Sequence, residues 1–498
     1  MTEGARRIVV LGGGTAGWMA ANLFAHAWPD ATITVIEAPD IGIIGVGEGS
    51  TPQLKGFFDK LGISEREWMP RCNATYKTGI AFHGWSDRPG HAHYFHPFNT
   101  AIDGHTIDAF YAQAGARRGG ADVAAHPDSF FLPTRLAAEQ RGPIARDEFP
   151  FAVSYGYHFD AYLVGAFLRD HAVGRGVHHI AQKVREVRLA EDGSVAALLT
   201  EDGAAHAADL FVDSSGFGSV IAQQAMGVGF RSFADNLFND SAVVMPTPRT
   251  GEAINAHTRA TALSAGWCWD IPLTNRTGNG YVYASRYLSA AAAEAELRRH
   301  LGVGDEAPAA RHLRMKVGRI EQVWTANCLA VGLSQGFIEP LEATALHVVQ
   351  ATVEGFINAW QSGGFTPRHR DRFNASIAAR FEGIRDYIVC HYRANQRDDT
   401  DYWRDNAANP HISTSLADML ACWRSGGDLV AEVERQGIAT YYTVMSWHCL
   451  LSGYGYYPPD HALHAAQGGS DMAQIDDFMA RCATNFAPHH VQLAALAH

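Results

Sequence analysis

Long apolar runs are scarce in this chain. Val9 to Trp28 comes nearest to an anchor or leader, yet a glycine-rich turn interrupts it and it lacks a cleavage site, so it reads as strand, turn and helix. Dense Lys/Arg runs are missing too. With 40 Lys plus Arg against 52 Asp plus Glu, the net charge of −12 leaves no electrostatic footprint for nucleic acid or an anionic membrane. A small, uncharged or cationic ligand is the default. Cysteine is sparse: seven residues, odd in number and without a CxxC pair, which excludes a disulfide framework and a thiolate metal site and reads as reduced thiols in a cytoplasmic protein. Residues 366–498 hold no internal repeat and no low-complexity tract. At 47% hydrophobic and 18% charged, the composition excludes a disordered or fibrous chain, and 498 residues suffice to bury a cofactor-sized cavity.

What is present begins at the amino end. The β-branched run Arg7 to Leu11 enters Gly12-Gly13-Gly14-Thr15-Ala16-Gly17, a helix with Trp18, Met19, Leu23 and Phe24 follows, and Thr32 to Glu37 reads as a second strand. That is a βαβ unit of the expected size, about thirty residues. Gly12 permits the tight turn, Gly14 lets backbone approach a pyrophosphate and Gly17 lets helix and strand pack closely; Glu37 ends the second strand, where a carboxylate accepts ribose hydroxyls. The context points to an adenine dinucleotide. No second glycine fingerprint appears, so a separate nicotinamide domain is not evident.

Further along, Val184–Leu189 and Val195–Thr200 flank an Asp192–Gly193 turn and predict a hairpin. Strands over Ala208 to Val212 and Cys328 to Gly332 each end in a candidate ligand loop, as at the carboxyl edge of a parallel sheet. Pro340 is placed at the first turn of a helix whose apolar stripe runs from Leu341 to Trp360. Beyond Gly363, Gly364 and Pro367, residues 366–498 read as mostly helical.

The segments GGGTAGWMAA (12–21), GVGE (45–48), NATYK (73–77), WCWDIP (267–272) and FIEPLE (337–342) together resemble the flavin-dependent tryptophan halogenases, with support from YHFDAYLV, DLFVDSSGF and NDSAV. The likeness runs in order to about residue 365, with WxWxIP its most specific part. It implies an α/β fold: a glutathione-reductase-type FAD-binding Rossmann module interleaved with a β-rich substrate region (1–365), and a helical carboxyl-terminal region (366–498) completing the substrate pocket. It also implies a reduced flavin that, with dioxygen, oxidises chloride or bromide to hypohalous acid, which crosses an internal channel to an aromatic substrate.

Residue by residue, the resemblance implies FAD contacts at Gly12, Gly14, Thr15, Ala16, Gly17, Glu37, Gly47 and Gly332. Lys77 matches the lysine at the channel end, whose ammonium donates a hydrogen bond to hypohalous oxygen or whose amine is halogenated. Glu342 matches the second catalytic residue, a carboxylate able to take the proton lost from the ring; Glu339 is the decoy, read as a helix-entry residue. Thr344 and Ala345 match the halide-contacting pair, although Ala343 stands for a serine and Ala345 for a glycine. Trp267 and Trp269, on one strand face by alternation, stand beside the channel and keep organic substrate from the flavin. His96 and Phe98 match positions that sandwich the substrate ring, and Trp447 is a further candidate to face it. His91, His93 and His96 are too loosely spaced, with too few acidic partners, for a metal cluster, so no metal is expected. The region Gly437 to Tyr457 is shorter than in free-tryptophan halogenases, leaving a bare indole, another heteroarene or a larger indole-containing molecule as open as free tryptophan itself as substrate.

The expectation is thus an FADH2-dependent halogenase of an indole-type aromatic, supplied by a separate flavin reductase, without nucleic-acid or membrane partners, with homodimerisation open. The competing readings are an FAD-dependent monooxygenase or reductase on the same scaffold and a flavin-binding protein without turnover.

Overall fold

The computed structural model describes residues 7–40, 42, 48–304, 308–465 and 470–496. The chain forms two compact units, each assembled from three chain segments: 1–73, 159–234 and 316–382 in the first, 74–158, 235–315 and 383–498 in the second.

The first unit is built on a six-stranded sheet in the order His178–Ala181, Thr32–Glu37, Arg7–Leu11, Leu210–Asp213, Cys328–Ala330, Trp324–Thr325. Every neighbouring pair is parallel except the last. Parallel strands buried on both faces require near-continuous apolar runs; Arg7–Leu11 supplies one, and Leu210–Asp213 is buried throughout. Val9, Leu11, Ile36, Phe211 and Cys328 form a core on this sheet with Val195, Leu198 and Ile221. The helix Thr15–Ala27 packs on Ala161–Gly174, where Asn22 Nδ2 donates to the Leu168 carbonyl, and on Ala345–Ser362. The expected hairpin is present: Val184–Leu189 pairs antiparallel with Val195–Thr200, and Asp192 Oδ1 accepts from the Ser194 amide.

One local expectation is corrected. Pro340 does not open the long helix. Pro340–Glu342 is a separate 3₁₀ turn, Ala343 follows in the left-handed region at φ 55°, and the helix starts at Ala345. The helical fold cannot run through a left-handed residue, so the apolar stripe is cut before it begins.

The second unit carries a largely antiparallel eight-stranded sheet, in the order Arg311–Arg314, Ser241–Val244, Arg276–Tyr283, Gly266–Pro272, Thr258–Leu263, Gly79–His83, His93–Pro97, with Thr247–Pro248 paired onto Arg276–Tyr283. Only Thr258–Leu263 and Gly79–His83 run parallel. The carboxyl-terminal segment adds helices Asp401–Ala408, Thr414–Arg424, Leu429–Gln436, Val444–Gly453 and Met472–Ala483. It is helical as read, with two short strands unforeseen in the sequence: His464–Ala465 beside Ala121–Asp122, and Phe486–Pro488 beside Arg141–Ala145. All seven cysteines carry free thiols. Among the described residues no helix is long and apolar enough to cross a membrane.

Candidate active site

In the first unit the glycine turn has the geometry its spacing implies. Gly12 lies at φ 109°, and a Cβ there would come within 2.4 Å of the Ser214 carbonyl oxygen; a Cβ on Gly17 would come within 2.0 Å of the Gly12 carbonyl oxygen. Both positions exclude any side chain. Gly14 differs. A Cβ on it would meet nothing within 4 Å, so the space in front of this residue is open where the helix Thr15–Ala27 begins, and no side chain caps that helix. Glu37 leans over the turn, its carboxyl 2.1 Å from where a Cβ of Gly13 would be, and its Oε2 lies 3.0 Å from His179 Nε2. Thr15 donates weakly, at 3.5 Å, to the Ala161 carbonyl. Gly332 (φ 63°) brings its loop against the helix start, with the Ala16 Cβ 2.7 Å from where its own would stand. Gly47 lies outside the described residues.

Asp213, which the sequence places at a strand end and in DLFVDSSGF without marking it as a site residue, organises the same sheet edge. Fully buried at the end of Leu210–Asp213, it accepts at Oδ1 from the Ser215 amide, the Ser215 hydroxyl and the Ser334 hydroxyl, and at Oδ2 from the amides of Ile221 and Ala222. Five donors on one carboxylate tie the 214–222 segment to the 332–334 loop. Glu339 and Glu342 are both buried in this unit. Thr344 is the N-cap residue of Ala345–Ser362, again without a side-chain cap. In its first turn His347 Nε2 accepts from Arg380 at 3.0 Å, and burial, then Arg380, pushes that imidazole down to about 4.

In the second unit Lys77 is 0% exposed, the last residue of the strand Thr75–Lys77. Its Nζ sits 5.4 Å from the Phe98 ring centroid, over the face. The surface lysine of an ordinary soluble chain is thereby excluded. Two residues before it, Thr75 donates to the Pro272 carbonyl at 2.7 Å and lies 3.1 Å from His158 Nδ1. The threonine proton being committed to a carbonyl, Nδ1 carries the imidazole proton, and Nε2 accepts from Thr258 Oγ1 at 2.9 Å. Burial, then the Lys77 charge, holds His158 well below its usual range, so it is neutral.

Trp267 and Trp269 share one face of Gly266–Pro272, both buried, with ring centroids 6.1 Å apart. Small residues make room for them: Ala262 opposes Trp267, Ala260 and Gly280 oppose Trp269, and a Cβ on Gly280 would lie 2.1 Å from the indole. The Trp269 N–H has no hydrogen-bond partner among the described residues. His96 and Trp447 meet around Tyr387, missed in the sequence: its hydroxyl donates to the Ser446 carbonyl, lies 3.3 Å from His96 Nδ1, and its ring stands edge-on to Trp447 at 5.0 Å. Tyr442 stacks on the same ring. The histidines weighed as a metal cluster diverge: His93 faces Asp128, His91 the Gly453 carbonyl, and His96 Tyr387.

A family model, Tryptophan halogenase, matches residues 7–468. The chain belongs to the tryptophan halogenase family. It is 36% identical over 527 aligned residues to the 7-chloro-L-tryptophan 6-halogenase KtzR of Kutzneria sp. (strain 744), covering 98% of this chain and 99% of that one. It is 38% identical to the tryptophan 6-halogenase SttH of Streptomyces toxytricini, covering 85% of this chain and 84% of that one. Among solved structures it resembles SttH at a TM-score of 0.86 and 33% identity, over 99% of this chain and all of that one. The flavin-dependent halogenase BrvH, from a Brevundimonas species, gives 0.85 and 33%, over 99% of each chain. This halogenase is therefore a flavin-dependent oxidoreductase by family, with the mixed α/β architecture and helical carboxyl-terminal region of those structures.

Proposed function

We propose that the protein halogenates an indole-type aromatic, using FAD reduced by a separate flavin reductase, dioxygen and chloride or bromide. The observation that carries this reading is a lysine with no solvent exposure, Lys77, its ammonium lying over the Phe98 ring inside the NATYK segment. Burying a lysine is costly, and chains tolerate it chiefly where the amine has work to do.

The residues present fit a dinucleotide. Gly12 and Gly17 admit no side chain, the approach to Gly14 is open, the helix behind it is uncapped, and the Glu37 carboxyl faces the turn. Gly12, Gly14, Thr15, Ala16 and Gly17 would hold the pyrophosphate, Glu37 the ribose, and Gly332, with Gly47, the remainder. When bound in reduced form, the flavin would supply two of the four electrons that dioxygen takes up, halide supplying the other two, so that the products are hypohalous acid and water. The amides at Thr344 and Ala345, at the start of an uncapped helix, hold the halide without a cation. Trp267 and Trp269 exclude the arene from the cofactor. Lys77 donates a proton-bearing hydrogen bond to the hypohalous oxygen, raising the electrophilicity of the halogen, and Glu342 takes the proton that leaves the ring carbon. His96, Phe98 and Trp447 present aromatic faces to the substrate. Gly437 to Tyr457 contains no Asp, Glu, Lys or Arg, which favours recognition through the indole ring over an amino-acid head group.

The test supplies FAD, a flavin reductase, NADH, halide and a panel of indoles, and looks for the halogen isotope pair by mass spectrometry. Wild type should give halogenated product. Lys77→Ala should lose at least ~100-fold of it while flavin binding and peroxide formation persist. Retained product would remove Lys77 from the chemistry, and oxygenated product without halide would favour a monooxygenase.

A further inference from the structure

The strand Thr75–Lys77 is only three residues long. One edge pairs with Gly156–Phe159, placing Thr75 opposite His158 and Lys77 opposite Gly156. Among the described residues no further strand pairs on the other edge, where a neighbouring strand would offer the Tyr76 N–H a carbonyl. A side chain takes that place. His489, fully buried and 413 residues away in sequence, accepts from the Tyr76 amide at Nε2 (3.2 Å), while its Nδ1 lies 2.9 Å from the Ile254 carbonyl. A carbonyl can only accept, so Nδ1 bears the proton and Nε2 is bare: the ring presents one donor and one acceptor, as a peptide unit of a neighbouring strand would. The first residue of His489–Ala494 is itself fixed by its backbone amide, which donates to the Gln140 carbonyl.

His158 secures the same strand from the opposite edge and through a side chain. Its bonds to Thr75 and Thr258, together with that of Thr75 to Pro272, tie the lysine strand to Thr258–Leu263 and to the last residue of the tryptophan strand Gly266–Pro272.

We propose that His158 and His489 are positioning residues for Lys77: two uncharged imidazoles fix the lysine strand at the Thr75 side chain and the Tyr76 backbone. This rests on the catalytic reading of Lys77. Both rings must be neutral to act. An imidazolium at 489 cannot accept the amide, and one at 158 would set a second buried cation beside the lysine. The displacement that follows from losing either tie is small in distance, yet misplacing a reacting group by about 1 Å can cost ~100-fold in rate.

The experiment compares His489→Gln, whose amide can accept from Tyr76 and donate to Ile254, with His489→Leu, which fills space and does neither. The readout is halogenated indole per flavin oxidised, beside free hypohalous acid captured by a β-diketone trap. The leucine variant should lose roughly 10- to 100-fold in kcat for product. Its KM for indole and its FAD affinity should stay within about twofold, and trapped hypohalous acid should rise as the oxidant escapes unused. Glutamine should restore most of the product. Equal yields from leucine and wild type, or glutamine no better than leucine, overturn the proposal. If the leucine variant does not fold, the glutamine variant decides: near-wild-type coupling supports the proposal, and loss of coupling in a folded protein overturns it. In the unaltered enzyme, a Tyr76 amide exchanging as fast as an open strand edge also overturns it. If Lys77→Ala keeps product, the lysine reading itself fails; if that variant is dead while His489→Leu is not, only the positioning role does.

Discussion

A single Cβ separates two kinds of glycine in the amino-terminal turn. At Gly17 the added carbon would lie 2.0 Å from the Gly12 carbonyl oxygen, so the backbone must shift; at Gly14 it would enter open space. Gly17→Ala should therefore destabilise the fold by roughly 1–3 kcal/mol, as overpacking does, lowering the urea midpoint of the apoprotein. Gly14→Val should leave that midpoint unchanged and weaken FAD binding, measured by flavin fluorescence titration, because it blocks only the ligand's approach. If the valine variant binds flavin normally, the pyrophosphate does not lie there. Glycine spacing makes this distinction half-legible in the sequence: the pattern names the positions, whereas which faces backbone and which faces space depends on how the turn folds on itself and, at Gly12, on the distant Ser214. His489 is the opposite case. Its function is to accept one backbone amide across 413 residues, and no local pattern marks a histidine for that. Lys77 stands between them, picked out by its motif while its burial came only from the fold.

Elements whose signal is a local period were read correctly: Arg7–Leu11, Thr32–Glu37 and the hairpin around Asp192–Gly193 all lie where alternation and turn residues put them. The segment after Phe337 was misread because its apolar stripe is continuous through Pro340 and nothing in the composition marks Ala343 as left-handed. An alanine at φ 55° costs about 1–2 kcal/mol relative to the right-handed region. The cost persists because the 3₁₀ turn carrying Glu342 must stop and reorient before the helix Ala345–Ser362 starts, without a side-chain cap, at Ala345. Ala343→Gly relieves the strain and loses some unfolded-state restriction, for a net gain of up to ~1 kcal/mol, checked as a rise in melting temperature. A variant less stable than wild type would show that the left-handed turn is not strained. The π-helical segment Val220–Ala225 is equally illegible, since its amides at Ile221 and Ala222 are held by Asp213 on another element.

At the scale of the whole chain, each compact unit is threaded from three separate segments, and the composition change near Gly363 falls inside the first of them. A linear reading of composition follows the chain, whereas compactness follows long-range pairings such as Ile8 with Leu210. What spreads through the second unit is a set of buried neutral imidazoles. Burial pushes His257 down to about 3 and His448 and His489 down to about 4, against 6.5 when unfolded. Between pH 6.5 and 4 the unfolded chain takes up three protons at these sites that the folded chain refuses, so stability falls on acidification. Each contributes about 1.4 kcal/mol per pH unit, or ~4 kcal/mol per unit together. Asp103 opposes them: burial raises it to about 6 from 3.8, so the folded state holds its proton over much of that window and gains stability as pH falls. One carboxyl offsets one imidazole, and His83, His91 and His347, each pushed down by burial to about 4, add to the uncompensated remainder. Urea midpoints should thus drop steeply from pH 7 to pH 5, well before carboxylates in general titrate. Replacing both His257 and His448 by glutamine should flatten that slope in part, because two of the refused protons are then gone. A midpoint independent of pH in this range would mean that these rings carry their protons in the folded protein, and that His489 cannot be holding the Tyr76 amide.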